Sequence, residues 1–205
     1  MPQSIAIVDY GMGNVRSVQK ALAHVAPNDN IFLTDNADLI RSADRVVFPG
    51  QGAIGACMQA LNAHNLVEVI KQSALEKPFL GICLGLQLLF DHSQENGGVE
   101  GLSILPGNVV HFPKSALKIP HMGWNTVKQT SEHPLWHNID DNARFYSVHS
   151  YFVETLDTDV ITGSSSYGID FTCAVAKDNL FAVQFHPEKS QHDGLQLLEN
   201  FVNWA

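Results

Sequence analysis

The segment Gly81-Ile82-Cys83-Leu84-Gly85 sets a cysteine between two glycines, where an apolar run (Pro78 to Ile82) gives way to a helix-like stretch. A G-x-nucleophile-x-G pattern permits a strained strand-to-helix turn, because larger side chains would collide there, and it holds the nucleophile over the edge of a sheet. Amides and the dipole at the start of the next helix favour the thiolate over the thiol. The N–H of Leu84, the residue just after the nucleophile, becomes a natural oxyanion donor. A lone cysteine in an apolar run is more often inert core; the flanking glycines favour the nucleophile. Cys57 and Cys173 lack this setting and read as structural.

A thiolate needs a base that something else orients. Phe185-His186-Pro187-Glu188 offers one. Residues two apart in an extended chain point to the same side, so His186 and Glu188 can lie together. Pro187 cannot donate to a ladder, which puts the pair just beyond a strand's end, where open α/β sheets place their chemistry. The alternative is a surface loop carrying His and Glu by chance. Phe48-Pro49-Gly50-Gln51-Gly52 also follows an apolar run. Two glycines around one residue let a peptide plane rotate cheaply, so the loop can present a second oxyanion N–H; its bland reading is an ordinary turn. The ten histidines include His133 and His137 at i,i+4, but Pro134 and the lack of acidic or cysteine partners argue for solvated side chains over a metal site. Asp9-Tyr10-Gly11-Met12-Gly13-Asn14 lacks the third glycine of a dinucleotide fingerprint.

The elements that must position these residues alternate. Ile5 to Val8 precedes a helical pattern from Val15 to Val25; Arg45 to Phe48 precedes a helical stretch through Leu61 and Val69; Pro78 to Ile82 leads into a helix from Leu84 to Phe90. This order predicts an α/β fold, an open, mostly parallel sheet covered on both faces. From about residue 105 the strand-like runs 109–112, 124–127, 144–153, 160–163, 171–176 and 181–185 follow one another without long helices, adding largely antiparallel strands. Gly194 to Trp204 closes the chain as a helix. Neither repeats nor a Pro-, Gly- or Ser-rich linker interrupts residues 1–205, which read as a single domain.

The chain of 205 residues carries 12 basic and 21 acidic side chains, a net charge of −9. Nucleic acid is thereby an unexpected partner. A chain of this length buries roughly 70% of its unfolded surface and needs no metal or disulfide to fold. There is no apolar run of ~18 residues to span a membrane and no signal-peptide pattern at Met1-Pro2-Gln3-Ser4. Three scattered cysteines form no disulfide framework. A reduced, cytoplasmic protein is expected.

Gly81-Ile82-Cys83-Leu84-Gly85-Leu86-Gln87, taken with Gln184-Phe185-His186-Pro187-Glu188, resembles class I (triad) glutamine amidotransferases. Within that class, residues 9–14, 119–125 (Ile-Pro-His-Met-Gly-Trp-Asn), 148–151 (Val-His-Ser-Tyr) and 186–190 (His-Pro-Glu-Lys-Ser) resemble the glutaminase subunits of imidazole glycerol phosphate synthases. The resemblance implies a doubly wound sheet and hydrolysis of glutamine to glutamate and ammonia. Cys83 would form a γ-glutamyl thioester, His186 would move protons, and Glu188 would hold the imidazole tautomer. Leu84 and the Gln51-Gly52 loop would hold the oxyanion. Gln87, Glu95, His149, Ser150 and Tyr151 would grip glutamine. The resemblance further implies a heterodimer with a (β/α)8 cyclase subunit, which takes the ammonia and makes imidazole glycerol phosphate and aminoimidazole carboxamide ribonucleotide in histidine biosynthesis. Asn14, Trp124, Tyr146 and Lys189 would lie near the docking face, and no cofactor or metal is implied. Gln51 departs from the small aliphatic residue of many relatives. Alternatives are the glutaminase of another synthase, such as those making anthranilate or pyridoxal phosphate, a catalytically silent regulatory subunit, or a free-standing γ-glutamyl hydrolase.

Overall fold

A computed structural model describes residues 2–114 and 117–204. In the first half the elements are β1 (Ser4–Val8), α1 (Val15–Val25), β2 (Asn30–Thr34), α2 (Ala37–Ser42), β3 (Arg45–Gly50), α3 (Ile54–Ala63), α4 (Val67–Glu76), β4 (Phe79–Cys83) and α5 (Leu84–Gln87). The second half contains β5 (Phe90–Ser93), β6 (Val99–Glu100), β7 (Leu105–His111), β8 (His121–Thr126), β9 (Lys128–Gln129), β10 (Arg144–His149), β11 (Tyr151–Thr155), β12 (Ile161–Ser166), β13 (Asp170–Lys177), β14 (Leu180–Val183) and α6 (Gln191–Asn203).

Among the described residues, twelve strands form one sheet whose main path runs β2-β1-β3-β4-β14-β13-β11-β7-β5-β6. The first five are parallel. From β13 onward the neighbours are antiparallel, except that β5 runs parallel to β7. Alternation along each strand divides the core. Val47, Leu80 and Ile82 pack with Val18, Leu22, Leu197 and Phe201 of α1 and α6. Val46, Phe48 and Phe79 face Ile54, Leu61 and Ile70 of α3 and α4. Both faces are covered, which is why these strands read as unbroken apolar runs. β8 and β10 pair as a separate antiparallel ribbon.

Three boundaries differ from the sequence reading. The helix expected from Leu84 to Phe90 stops at Gln87, and Phe90 opens a strand. Leu86, Leu88, Leu89 and Phe90 are all fully buried, so no polar face marks where one element ends. The run 144–153 is two strands, β10 and β11, broken at Ser150. The edge strand β2 and the short α2, capped by the Asn36 side chain, did not register as apolar patterns. Among the described residues no helix is long and apolar enough to cross a membrane.

Candidate active site

Cys83 ends β4 and precedes α5, at φ 56° and ψ −111°. Such a conformation costs of order 1–3 kcal/mol for a residue with a side chain and persists only where the surroundings enforce it. They do so here. A Cβ on Gly81 would stand 2.9 Å from that of Ala182, and one on Gly85 would overlap the Phe48 carbonyl oxygen. The dipole expected behind the sulfur is that of a single turn, since α5 has four residues. Gly85→Ala is expected to cost about 3 kcal/mol or more in urea unfolding. Gly55→Ala, in α3 with its nearest contact at 3.4 Å, should stay within about 1 kcal/mol of wild type.

His186 follows β14, whose parallel pairing with β4 brings residue 186 beside residue 83. Its loop is clamped by the ribbon: His186 N–H donates to the Tyr146 carbonyl (2.8 Å), and Ser190 Oγ donates to the His186 carbonyl (2.6 Å). His186 Nδ1 lies 2.8 Å from Glu188 Oε1. The pair meets through a 3-10 turn, Pro187–Lys189, rather than an extended chain; this corrects the geometry inferred from sequence while leaving the two side chains together. Among the described residues His186 Nε2 has no hydrogen-bonding oxygen or nitrogen. Burial opposes charge on this ring, yet the neighbouring Cys83 and the Glu188 carboxylate outweigh it, raising the imidazole to about 10. A protonated imidazole held between the Glu188 carboxylate and the nucleophile is the state such an environment favours.

A cavity of about 330 Å³ opens over Cys83. Gln51, Gly52, Leu84, Gln87, Glu95, His149, Ser150, Tyr151, His186 and Lys189 line it. Gln87 spends both amide hydrogens inside the wall, on the Tyr151 carbonyl (3.0 Å) and on Gln184 Oε1 (2.9 Å). Gln184, fully buried, turns its own Nε2 toward Cys83 Sγ at 3.9 Å. Sequence reasoning gave Gln184 no role; its place next to the strand end that carries His186 was the available signal. Glu95 Oε2 accepts from the Ile54 N–H at the start of α3, so the carboxylate ties its turn to the segment after the Gln51 loop. Of the two loop glycines only Gly52 has a positive φ, 95°. Gln51 is exposed and its carbonyl accepts from Cys57 Sγ (3.6 Å).

Trp124, Tyr146 and Asn14 stand outside the cavity wall, and Lys189 lies in it. Trp124 and Tyr146 are register partners on the ribbon with ring centroids 6.3 Å apart, and Lys189 Nζ lies 5.9 Å over the Tyr146 ring. Asn14 is exposed just before α1, and its side chain makes no capping bond there. Burial pushes the Cys57 and Cys173 thiols up to about 11 and about 12, as befits structural cysteines. His133 is a correction: its ring is half-buried against Phe181 and Trp204, and Nδ1 accepts from the Leu135 N–H. Among the described residues no cluster of His, Cys, Asp or Glu is arranged for a metal ion.

Comparison with known proteins agrees with this geometry. Residues 6–204 match the family glutamine amidotransferase class-I. Imidazole glycerol phosphate synthase subunit HisH of Hydrogenovibrio crunogenus is 57% identical over 98% of this chain and 96% of its own length. The protein of the same name from Nitrosospira multiformis is 58% identical over 98% and 97%. Among solved structures, PurLQS from Thermotoga maritima superposes with a TM-score of 0.73 at 15% identity, covering 100% of this chain and 99% of that one. The Trypanosoma brucei CTPS glutaminase domain gives 0.68 at 16%, covering 97% and 93%; at such identities the likeness concerns the fold. The chain belongs to the class-I glutamine amidotransferase family and, within it, to the imidazole glycerol phosphate synthase subunits HisH.

Proposed function

We propose that the chain is the glutaminase of an imidazole glycerol phosphate synthase, hydrolysing glutamine through Cys83, His186 and Glu188. The observation that carries this reading is the strained Cys83 beside a buried imidazole whose other nitrogen is held by a carboxylate at 2.8 Å. His186 takes the thiol proton as the Cys83 sulfur attacks the side-chain amide carbon, and the tetrahedral oxyanion is received by the Leu84 N–H and an N–H of the Gln51-Gly52 loop. As the C–N bond breaks, His186 gives its Nε2 proton to departing ammonia, leaving a γ-glutamyl thioester. Water then attacks the thioester with His186 as base, releasing glutamate and restoring the thiol.

Gln87 and Glu95 turn acceptor oxygens to the substrate, because Gln87's amide hydrogens are consumed in the wall and Glu95 is a carboxylate. Acceptors suit the α-ammonium of glutamine. Ser150 and Tyr151, also in the cavity lining, face its carboxylate end. The ammonia passes to a (β/α)8 cyclase subunit. The ribbon supplies the docking face: Met122 and Trp124 are 62% and 38% exposed, and Trp124, Tyr146 and Lys189 run from that face to the cavity rim. Asn14 extends the same face in this reading. Aromatic residues of this kind dominate interface energetics, so Trp124→Ala should weaken the cyclase complex about tenfold or more by titration calorimetry. The twelve-stranded sheet running through both halves supports a single domain, and three free cysteines support a reducing, cytoplasmic setting.

The test is glutamate release from glutamine by the chain alone, with the cyclase, and with the cyclase carrying its ribonucleotide ligand. Low activity that rises with the liganded cyclase is expected. Full activity alone would overturn the partner-gated part of the reading and keep the triad; no activity in any arm would overturn the glutaminase reading.

A further inference from the structure

A buried pair of histidines, His149 in the cavity wall and His121 behind it, is not used by the mechanism. His121 on β8 and His149 on β10 are register partners across the ribbon, 3% and 6% exposed. His149 Nδ1 lies 2.8 Å from the Tyr151 carbonyl, and His149 Nε2 lies 3.0 Å from His121 Nδ1. The Asn125 amide Nδ2 lies 3.3 Å from His121 Nε2. Tyr167 stacks on His121 at 4.1 Å.

The partners dictate where every proton sits. A carbonyl only accepts, so His149 Nδ1 carries hydrogen. Neutral His149 then accepts at Nε2, which requires hydrogen on His121 Nδ1, and neutral His121 accepts at Nε2. Asn125 supplies that donor: its Oδ1 accepts from the Thr126 N–H (2.9 Å) and its Nδ2 also donates to the Ser166 carbonyl (2.9 Å), which fixes the orientation of the amide. Burial holds both imidazoles below their ordinary values, His149 at about 3, in keeping with two neutral rings. The result is a one-directional series of donors, Asn125 to His121 to His149 to the Tyr151 carbonyl. That same carbonyl accepts from Gln87, whose amide leads through Gln184 to Cys83.

We infer that His121 is a positioning residue for the glutamine pocket: oriented by Asn125, it fixes the His149 ring, and through that ring the Tyr151 carbonyl on which Gln87 is anchored. His149, with both ring nitrogens committed, acts on the pocket by the same route. The inference rests on the glutaminase reading above and adds a residue absent from the cavity wall. Removing the His121 donor leaves a buried acceptor on His149 and frees its ring, so the wall that receives glutamine loosens while the sulfur keeps its base.

The test uses two reagents on the full chain: a glutamine-like chloroketone, which must occupy the pocket before it alkylates Cys83, and iodoacetamide, which need not. His121→Phe keeps a ring on Tyr167 and loses the donor; His121→Asn retains an N–H near the Nδ1 position. The chloroketone half-saturation concentration should rise about tenfold in His121→Phe and return to within about threefold of wild type in His121→Asn, with iodoacetamide rates within about twofold throughout. Asn125→Ala, a milder change, should raise it about threefold. An unchanged half-saturation in His121→Phe and Asn125→Ala overturns the inference. So does an equal loss in His121→Phe and His121→Asn with iodoacetamide rates falling in step, which is general loosening. Wild type that shows no saturation and no labelling of Cys83 overturns the glutaminase reading itself.

Discussion

Cys83→Ala is expected to lower glutamate release from glutamine by about 10⁴-fold or more, since the thioester can no longer form and only oriented binding remains. Its cost in stability should be small, within about 2 kcal/mol. The residue is buried at positive φ, but alanine carries the same Cβ as cysteine and meets the same backbone strain, so the elbow is no worse off. Steady-state assay and urea unfolding on one preparation separate the two effects. A variant that unfolds would make the loss uninformative; a folded variant that still turns over would remove Cys83 from the chemistry.

Glu188→Gln is expected to lower kcat by about 10²–10⁴-fold. The carboxylate accepts from His186 Nδ1, and this holds the other nitrogen toward the sulfur. Its second oxygen, Oε2, is buried with no partner among the described residues. An amide in that position must either leave its N–H₂ buried and unpaired or turn it toward Nδ1, which selects the wrong tautomer. The same substitution has a pH signature. Folding raises His186 from an ordinary 6.5 to about 10, with Glu188 among the causes. A raised folded value contributes stability that is complete below about pH 6.5 and is lost as pH rises through about 10. With Glu188→Gln the folded value falls, so the loss ends at lower pH. Unfolding free energy measured from pH ~6 to ~10 should therefore decline over a narrower and lower range in the variant. Identical profiles would mean that Glu188 does not support the imidazolium.

Much of this was legible in the residues because it depends on local sterics. The glycines at 81 and 85 sit where side chains collide with Ala182 and Phe48, and that requirement is written in sequence as G-x-C-x-G. The helix Val15–Val25 matches its apolar spacing residue for residue. His186 and Glu188 were found through proximity in sequence, although a 3-10 turn and not an extended strand brings them together. What stayed hidden depends on contacts between distant segments. His121 and His149 are 28 residues apart and meet only through ribbon register. Gln87 and Gln184 are 97 apart and meet because β14 docks beside β4. Full burial erased the boundary between α5 and β5, as hydrophobic periodicity fails where no face is wet. His133 read as solvated because its cover, Phe181 and Trp204, comes from the end of the chain.

The central claim is that Cys83 carries the acyl group. The direct measurement is rapid acid quenching of the chain–cyclase complex during its first turnover of glutamine, followed by mass analysis of the peptide containing residue 83. The account predicts one glutamyl group on Cys83 at early times, decaying as glutamate appears. Glutamate release with the Cys83 peptide unmodified at every quench time, or a glutamyl group on another residue, would contradict it.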